Sequence, residues 1–166
     1  MHGTLVGILA DTHDNRTRLQ QAVALFNRRG VSLVVHAGDF ISPFTALDFQ
    51  RLACPMEMVF GNNDGDRPGL LTAFRDRGTL LPGPRVFTAM GKKWLLMHEH
   101  GCLEQVAQAA DVDIVVYGHT HEVDIRAGRP VIINPGEACG WLRGRATVAL
   151  LDCTAMQIQL LDLDAA

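Results

Sequence analysis

Short apolar runs alternate with amphipathic stretches along the first half of the chain. The runs at 5–10, 33–37 and 56–60 predict strands, whereas the stretches at 16–29 and 43–52 predict helices. In the first of these helices the apolar residues recur every three or four positions, as an amphipathic helix requires. This βαβαβ order is typical of parallel strands that are joined by crossover helices.

Beyond residue 70 the pattern becomes richer in strands. Apolar runs at 85–90 and 93–97, separated by a turn, predict a β-hairpin, and residues 103–110 predict a helix. Further short strands are expected at 114–117, 123–126, 131–133, 146–151 and 157–161. The predicted fold class is therefore α/β, a four-layer arrangement of two packed mixed β-sheets flanked by helices, in one domain over residues 1–166.

The composition indicates an ordinary globular protein, with 48% hydrophobic and 20% charged residues and a net charge of -3. Without a basic stripe, a nucleic-acid polymer is not an expected partner, although a small phosphate compound can still bind at a local site. No apolar stretch approaches the roughly 20 residues that a membrane span needs, so a soluble protein without a membrane partner is expected. The start of the chain lacks a signal-peptide pattern and the four cysteines form no Cys-x-x-Cys pair, so we expect buried thiols and a cytoplasmic location. Composition leaves open whether the protein is a monomer or a homo-oligomer.

Six of the apolar runs stop at polar side chains that commonly bind metal ions. Because the carboxyl ends of parallel strands meet at one edge of a sheet, these side chains are expected to gather there. The clearest case is the pair of imidazoles in Gly118-His119-Thr120-His121, which directly follows a strand. The full set comprises Asp11 and His13, Asp39, Asn62, His98 with His100 nearby, His119 and His121, and, after the last run, Asn134.

Each of these side chains also has an ordinary structural interpretation when it is considered alone. Asp11 and Asp39 suit helix caps, and Asn62 suits a turn. One dinuclear centre explains all the strand ends at once, whereas the structural interpretations need a separate coincidence for each. Four imidazoles, two carboxylates and one amide exceed the needs of one tetrahedral zinc ion, but they suit two divalent cations about 3.5–4 Å apart that share a carboxylate. Nitrogen and oxygen ligands without thiolate point to manganese, iron, zinc, cobalt or nickel, and away from a copper(I) or iron–sulfur site. Of these metals, manganese is the one we expect.

The charge of such a centre predicts its substrate. The charges of Asp11, Asp39 and a bridging hydroxide do not cancel those of two divalent cations, so the pocket would attract an anion. A phosphate ester fits, because the metals can activate a hydroxide at neutral pH for in-line attack on phosphorus and can hold the nonbridging oxygens.

Five motifs occur in a fixed order along almost the whole chain, namely Asp11-Thr12-His13, Gly38-Asp39, Gly61-Asn62-Asn63-Asp64, His98 and Gly118-His119-Thr120-His121. In this order they resemble the calcineurin-like metallophosphoesterase superfamily, and most closely its compact bacterial and archaeal phosphodiesterase branch. The resemblance implies a two-sheet fold, two divalent metal ions, and hydrolysis of phosphodiesters in preference to monoesters. It also implies that Asp11, His13 and His121 bind one metal, that Asn62, His98 and His119 bind the other, and that Asp39 bridges them.

Three positions depart from the usual family pattern. Asp14 and Glu99 stand where glycine commonly follows the two histidines, and both place negative charge beside the site. Glu99 also leaves open whether His98 or His100 is the ligand, although strand register favours His98. Asn63 replaces a histidine that in many relatives assists the leaving group, and an amide cannot act as a general acid. If an acid is present elsewhere, His100 is the first candidate. Catalytic roles are therefore expected for Asp39, Asn62, Asn63, His98 and His100.

The main alternative to an enzyme is a noncatalytic protein-interaction scaffold, because a retromer scaffold subunit has a similar fold with an eroded metal site. No ligand position is eroded in this sequence, which favours the enzyme. A redox-active dinuclear protein is a more distant alternative. The expected substrate is a small phosphate ester, with its specificity in loops 40–44, 65–69 and 138–142, where Trp141 can either stack on a base or pack on the protein.

Overall fold

The computed structural model describes residues 4–165, which form eleven strands, three α-helices and one 3₁₀ helix. The strands are β1 (Leu5–Leu9), β2 (Leu33–His36), β3 (Met56–Val59), β4 (Gly78–Leu81), β5 (Arg85–Ala89), β6 (Lys92–Leu96), β7 (Ile114–Val116), β8 (Val123–Arg126), β9 (Val131–Pro135), β10 (Thr147–Asp152) and β11 (Gln157–Asp162). The α-helices are α1 (Arg16–Arg29), α2 (Arg67–Phe74) and α3 (Leu103–Ala110), and the 3₁₀ helix spans Pro43–Arg51. Within this part of the chain, no helix has both the length and the apolar character that crossing a membrane requires.

The strands form two mixed sheets. The first has the order β11-β10-β1-β2-β3-β4, in which β1 to β4 are parallel and β10 pairs antiparallel with both β1 and β11. The second has the order β5-β6-β7-β9-β8, with a parallel centre and one antiparallel strand at each edge. Because both sheets have a parallel centre, the carboxyl ends of the central strands gather at one edge of each sheet, where open α/β proteins bind ligands.

Alternate residues of the central strands build the core between the two sheets. Val6 and Ile8 of β1 belong to the same buried cluster as Trp94 of β6 and Ile114 of β7, and all four residues are fully buried. This spacing follows from the period of two in a strand, which sends neighbouring side chains to opposite faces.

The opposite faces of the sheets pack against helices. On the first sheet, Phe26, Phe49 and Phe74 from α1, the 3₁₀ helix and α2 form one buried cluster. On the second sheet, Leu103 of α3 packs in a cluster with Leu95 of β6. The layers are therefore helix, sheet, sheet and helix, and the prediction of two packed mixed sheets flanked by helices is confirmed. The assignment of residues 1–166 to one domain stays a prediction.

Both ends of α1 agree with the sequence prediction because both carry capping residues. Asn15 accepts a hydrogen bond from the Arg18 amide, and Gly30 has a φ of 65°, in the left-handed region that commonly ends a helix. The start of α1 in turn fixes the loop that follows β1, which carries two of the candidate ligands.

The sequence prediction misses two neighbouring elements, α2 and β4. α2 has only eight residues and contains Gly69, which weakens its helical pattern. β4 is an edge strand in which only Leu80 is buried, so it shows little apolar signal. The expectation of a loop at 65–69 is wrong in part, because Asp66 caps α2 and the helix begins at Arg67.

The expectation of buried thiols is correct for only part of the set. Cys139 and Cys153 are buried, Cys54 is half-buried and Cys102 is exposed. Cys102 is the N-cap residue of α3 and lies in the connection between β6 and that helix.

Candidate metal centre

The candidate ligands follow the carboxyl ends of five strands and come from both sheets. The first sheet contributes the loops after β1, β2 and β3, and the second contributes those after β6 and β7. Because the sheets face one another, these strand ends meet at one edge of the sandwich. The structure brings all seven side chains together there, namely Asp11, His13, Asp39, Asn62, His98, His119 and His121.

Five of the seven candidate ligands have left-handed backbone conformations. The φ angles are 52° at Asp11, 39° at His13, 62° at Asp39, 70° at His119 and 60° at His121. Such conformations are uncommon for residues other than glycine and cost on the order of 1–3 kcal/mol each. Their concentration at one edge indicates that these backbone conformations are kept, despite their cost, because they place the candidate ligands.

Two glycines allow the loops to approach one another closely. A Cβ atom at Gly38 would lie 2.7 Å from the Gly61 amide nitrogen and 2.8 Å from His98 Nδ1. A Cβ atom at Gly61 would overlap the carboxylate of Asp39. Gly38 also has a φ of 97°, which residues with a Cβ rarely adopt. The glycines ahead of Asp39 and Asn62 are therefore steric requirements of the site.

Asp39 lies at the centre of the cluster. Its Oδ2 atom is 3.3 Å from His13 Nε2 and 3.5 Å from His98 Nε2. Asn63 donates two hydrogen bonds to this carboxylate, from its amide nitrogen to Oδ1 at 2.9 Å and from Nδ2 to Oδ2 at 2.8 Å. Burial opposes ionisation of Asp39, but the contacts with His13, His98 and Asn63 outweigh it and hold the pKa of Asp39 well below its usual range. The carboxylate is therefore ionised between two groups of donors.

One group, which we call the inner half, consists of Asp11, His13 and His121. Asp11 Oδ1 lies 3.6 Å from His121 Nε2 and 3.9 Å from His13 Nε2. Asp11 is fully buried. Burial, reinforced by the carboxylate of Asp39, raises the pKa of Asp11 to about 7. Asp11 is therefore costly to ionise unless a cation faces it.

The other group, the outer half, consists of Asn62, His98 and His119. Asn62 Oδ1 is 2.8 Å from His98 Nε2 and 2.9 Å from His119 Nδ1. His98 Nδ1 donates to the Ala37 carbonyl oxygen at 2.7 Å, because a carbonyl can only accept, and burial lowers the pKa of His98. The ring is therefore neutral, with its free lone pair on Nε2. Asn62 and His119 are exposed, so the outer half opens to solvent.

The donor atoms fit a metal centre better than a hydrogen-bonded cluster. His13 Nε2 is buried beside two carboxylates, yet it has no hydrogen-bond partner among the residues that the structure describes. Ligand atoms of Asp11, His13 and His121 lie within 4.8 Å of one another, as do those of Asp11, Asp39 and His98. Buried carboxylates at this spacing are costly without compensation, and divalent cations would supply it. The role of the seven residues as metal ligands stays a prediction.

Glu137 belongs to the site although it is absent from the predicted set. His121 Nδ1 donates to Glu137 Oε2 at 2.6 Å, which leaves His121 Nε2 facing Asp11. Burial opposes ionisation of Glu137, but this bond and those from the Arg143 and Leu142 amides outweigh it and lower its pKa. A carboxylate behind a ligating histidine fixes the tautomer and orientation of the ring. Glu137 lies two residues beyond β9, so the strand-end rule that identified the other acids could have identified it.

Cys139 extends this support. Its thiol donates to Glu137 Oε2 at 3.5 Å. Burial raises the pKa of Cys139 to about 12, so the sulfur keeps its proton and offers no thiolate at neutral pH. Glu137 and Cys139 therefore support the inner half through the ring of His121.

A buried histidine within β2 holds the first two loops together. The Gly38 amide donates to His36 Nδ1 at 3.1 Å, so the ring proton is on Nε2, which lies 3.3 Å from Thr12 Oγ1. Thr12 Oγ1 in turn donates to the Asp39 carbonyl oxygen at 3.2 Å. Burial lowers the pKa of His36 to about 3, so this network is neutral. Sequence reasoning missed it because His36 lies inside an apolar run.

Asp64 ties the loops after β2 and β3 together. Its carboxylate accepts hydrogen bonds from the backbone amides of Asp39 at 3.1 Å, Ile41 at 2.8 Å and Gly61 at 2.7 Å. The acid that ends the Gly-Asn-x-Asp motif therefore serves to position Asp39 and its neighbours.

His100 and Asn63 lie beside the cluster but outside the group of seven. The centroid of the exposed His100 ring is 6.3 Å from that of His119, and its side chain makes no hydrogen bond within residues 4–165. His98 rather than His100 faces Asp39, which agrees with strand register. Asn63 is exposed and contacts Asp39 alone among the seven, so it positions that carboxylate.

The two remaining departures from the family pattern, Asp14 and Glu99, lie beside the cluster. Both carboxylate oxygens of Asp14 accept hydrogen bonds from Ser42, at 2.9 Å from the amide and 2.6 Å from Oγ, so Asp14 is not free to act as a ligand. Glu99 is exposed at the edge of a groove beside the outer half. Trp141 is 62% exposed, so most of its side chain is open to solvent.

Comparison with known proteins finds similar chains over nearly the whole length. A family model described as the calcineurin-like phosphoesterase superfamily domain matches residues 5–156. The chain is 35% identical over 152 residues to a protein named phosphodiesterase from Methanocaldococcus jannaschii, with 89% of this chain and 92% of the relative covered. It is 32% identical over 143 residues to a probable metallophosphoesterase from Methanothermobacter thermautotrophicus, with 80% and 76% covered.

A solved structure supports the same relationship. The structure of a protein described as a novel archaeal phosphodiesterase superposes with a TM-score of 0.89 at 31% identity. The match covers 95% of this chain and 99% of that protein. The likeness therefore extends to both sequence and fold.

Proposed function

Because the chain belongs to the calcineurin-like phosphoesterase superfamily, as its five motifs predict, we propose that it is a metal-dependent phosphodiesterase acting on small phosphodiesters. The observation that carries this proposal is the position of Asp39, whose Oδ2 lies 3.3 Å from His13 Nε2 of the inner half and 3.5 Å from His98 Nε2 of the outer half. The archaeal relatives that are named phosphodiesterases support diesters in preference to monoesters.

Each half of the site would hold one divalent cation, and Asp39 would be shared between them. The donors are imidazole nitrogens, carboxylate oxygens and one amide oxygen, which favours manganese, with iron, zinc, nickel or cobalt as alternatives. When bound, such a pair supplies a nucleophile from water at neutral pH and positive charge for the phosphate oxygens.

The protein contributes orientation and access. The Ala37 carbonyl holds the His98 proton on Nδ1, so that the Nε2 lone pair of His98 faces Asp39. Glu137 does the same for His121, whose Nε2 lone pair faces Asp11. Exposed Asn62 and His119 leave the outer half open to a phosphate group that arrives from solvent. A small diester can therefore reach the site without any movement of the inner half.

The side chain of Asn63 predicts how the rate depends on the leaving group. Because Asn63 cannot donate a proton as a general acid, a contribution that is typically worth about 10²–10⁴-fold is missing for poor leaving groups. We expect kcat/KM for a series of aryl methyl phosphates to fall steeply as the leaving-group pKa rises. A flat dependence with chemistry rate-limiting would contradict this and indicate an acid elsewhere, and His100→Ala would then restore the slope.

Hydrolysis of bis(4-nitrophenyl) phosphate by protein loaded with manganese tests the proposal. We expect turnover that is lost on metal removal and in the Asp39→Ala and His119→Ala variants, with circular dichroism showing that both variants fold. Asp76→Ala is the matched control, because this carboxylate is 84% exposed and pairs with its neighbour Arg75. Activity in Asp76→Ala equal to that of the parent shows that the loss is specific to the site.

The noncatalytic scaffold is the outcome that would overturn the proposal. Metal-loaded, folded protein that hydrolyses neither aryl diesters nor aryl monoesters would contradict an enzymatic role and favour the scaffold. Activity that survives Asp39→Ala would contradict the assignment of the site.

A further inference from the structure

A groove of about 380 Å³ begins at Asn62 and His98 of the outer half. One wall follows β3 and reaches the start of α2, and the other combines the connection between β4 and β5 with the segment that follows β6. Its volume lies within the range of about 300–1,000 Å³ that is typical of small-molecule sites. The groove is therefore large enough for an organic group that extends from a phosphate at the metal centre.

The walls of this groove are largely apolar and rigid. Phe60 and Met97, which are 7% and 2% exposed, are apolar residues of the lining. Pro82 and Pro84 stand with Met97 in the wall opposite Phe60, and each pyrrolidine ring fixes the backbone φ and leaves no rotatable side chain. Walls of this kind favour a flat, weakly polar group over a flexible or highly charged one.

Arg67 supplies a planar cation at the wall. Its Cζ atom lies 5.1 Å from the centroid of the Phe60 ring, and its Nε donates to the Asp64 carbonyl oxygen at 3.4 Å. These two contacts hold the guanidinium, and Arg67 as a whole is exposed. A guanidinium stacked on one ring can stack on a second ring or donate to its polar edge.

Glu99 is the other charged side chain in the lining. One cation and one anion leave the groove without a net charge of its own, so it does not favour an arm that carries an additional phosphate or carboxylate. A ring whose edge has both donors and acceptors can instead use Arg67 and Glu99 together.

We propose that this groove binds one arm of the phosphodiester substrate and that the arm is nucleoside-like, a flat heteroaromatic ring on a short linker. The inference rests on the proposed phosphodiesterase function, because the phosphate must lie at Asn62 and His98 for its arm to enter the groove. Arg67 is then a specificity-determining residue, which binds the ring and does not act on the phosphorus.

Two diesters with the same leaving group test the proposal with manganese-loaded protein, namely thymidine 5′-(4-nitrophenyl phosphate) and methyl 4-nitrophenyl phosphate. We expect kcat/KM to be at least about tenfold higher for the thymidine ester, and Arg67→Ala to reduce this ratio by about tenfold. Arg75→Ala is the matched control, since Arg75 follows α2 at its other end, is 74% exposed and pairs with Asp76. It should leave both rates unchanged. A ratio near one, or a ratio that Arg67→Ala does not alter, would overturn the proposal.

Binding of phosphate monoesters provides a readout that does not depend on turnover. Calorimetry should show that thymidine 5′-monophosphate binds at least about tenfold more tightly than methyl phosphate, and that Arg67→Ala removes most of this difference. Tighter binding of 2-carboxyethyl phosphate than of thymidine 5′-monophosphate would show that the groove selects an anionic arm and would overturn the proposal.

The outcomes also separate this inference from the function on which it rests. Metal-dependent hydrolysis of both diesters at equal kcat/KM would overturn the nucleoside-like arm while the phosphodiesterase remains. Hydrolysis of neither diester by metal-loaded protein would overturn both.

Discussion

The inner and outer halves of the candidate metal centre each contain two histidines, but they differ in the third ligand and in exposure. The inner half contains the fully buried carboxylate of Asp11, and the buried carboxylate of Glu137 supports its His121. The outer half contains only neutral ligands, of which Asn62 and His119 are exposed. The negative charge therefore lies in the inner half, whereas the outer half is the one that solvent and substrate can reach.

This difference predicts a division of labour between the two halves. A buried carboxylate attracts a cation strongly but is costly when the cation is missing, as the raised pKa of Asp11 indicates. Exposed neutral ligands bind a cation less tightly but can exchange water for substrate. We therefore expect the inner half to bind metal more tightly and the outer half to meet the phosphate.

The largest effect should come from the residue that both halves share. Asp39→Asn keeps the shape of the side chain but removes the charge that faces His13 and His98. We expect a loss of activity greater than the roughly 100-fold that removal of a supporting residue causes, together with loss of metal from both halves. Elemental analysis and kcat with bis(4-nitrophenyl) phosphate measure the two effects. Retention of two metal ions in Asp39→Asn would contradict the shared role.

Substitution of Glu137 should weaken metal binding in the inner half alone. Glu137→Ala removes the acceptor of the His121 ring proton, and we expect the affinity of the inner metal to fall by about 10–100-fold. Glu137→Gln keeps an acceptor oxygen and should lower the affinity less. The affinity of the outer metal should not change in either variant, which distinguishes positioning of His121 from general destabilisation. An equal loss in both halves would indicate general destabilisation.

Asp11 should lower the stability of the metal-free protein. Its pKa of about 7 in the folded state exceeds the value of about 3.9 expected in the unfolded state, so the folded protein binds the proton more tightly. The stability that protonation contributes is complete below about pH 4 and is lost as the pH rises through about 7. Above pH 7 without metal, Asp11→Asn should raise the free energy of unfolding by on the order of 2–4 kcal/mol.

Urea unfolding of parent and variant with a chelator, at pH 4.5 and pH 8, measures this difference. The increase in the free energy of unfolding that Asp11→Asn causes should be larger at pH 8 than at pH 4.5. With saturating manganese the order should reverse, because the parent is stabilised by bound metal and the variant is not. A variant less stable than the parent at pH 8 without metal would contradict the pKa shift.

The smallest effect is expected at Asn63. Asn63→Ala removes one of its two hydrogen bonds to Asp39, the one from Nδ2, while the backbone bond to Oδ1 remains. Because Asn63 is exposed, we expect kcat to fall only about three- to tenfold. A loss as large as that of Asp39→Asn would show that Asn63 contributes directly to the reaction.

The sequence predicts most of the fold and much of the cluster for one physical reason. A strand that is buried on both faces is a continuous apolar run, so its end is visible, and parallel strands place their ends together. Asp11, Asp39 and His119 could be found in this way. The same reasoning overlooked His36 because it lies inside such a run, and Glu137 because the apolar run at 131–133 already ends at Asn134, three residues earlier.

Other features depend on contacts between distant segments, which no local pattern records. β4 is an exposed edge strand, and α2 is short, so neither has a strong apolar period. The groove forms where Phe60 and Arg67, which follow β3 of the first sheet, meet the segment at 97–102, which follows β6 of the second sheet, and the connection at 82–84 between the two sheets. Its existence follows from the packing of the two sheets, and sequence reasoning could place specificity only in loops.

Calorimetric titration of the metal-free protein with manganese tests most directly whether the two halves differ in metal affinity. We expect two binding events in the parent protein whose affinities differ by at least about tenfold. His119→Ala should lose only the weaker event, and His121→Ala should lose the tighter one. Two events of equal affinity in the parent, or retention of the tighter event in His121→Ala, would contradict the division between a charged inner half and an open outer half.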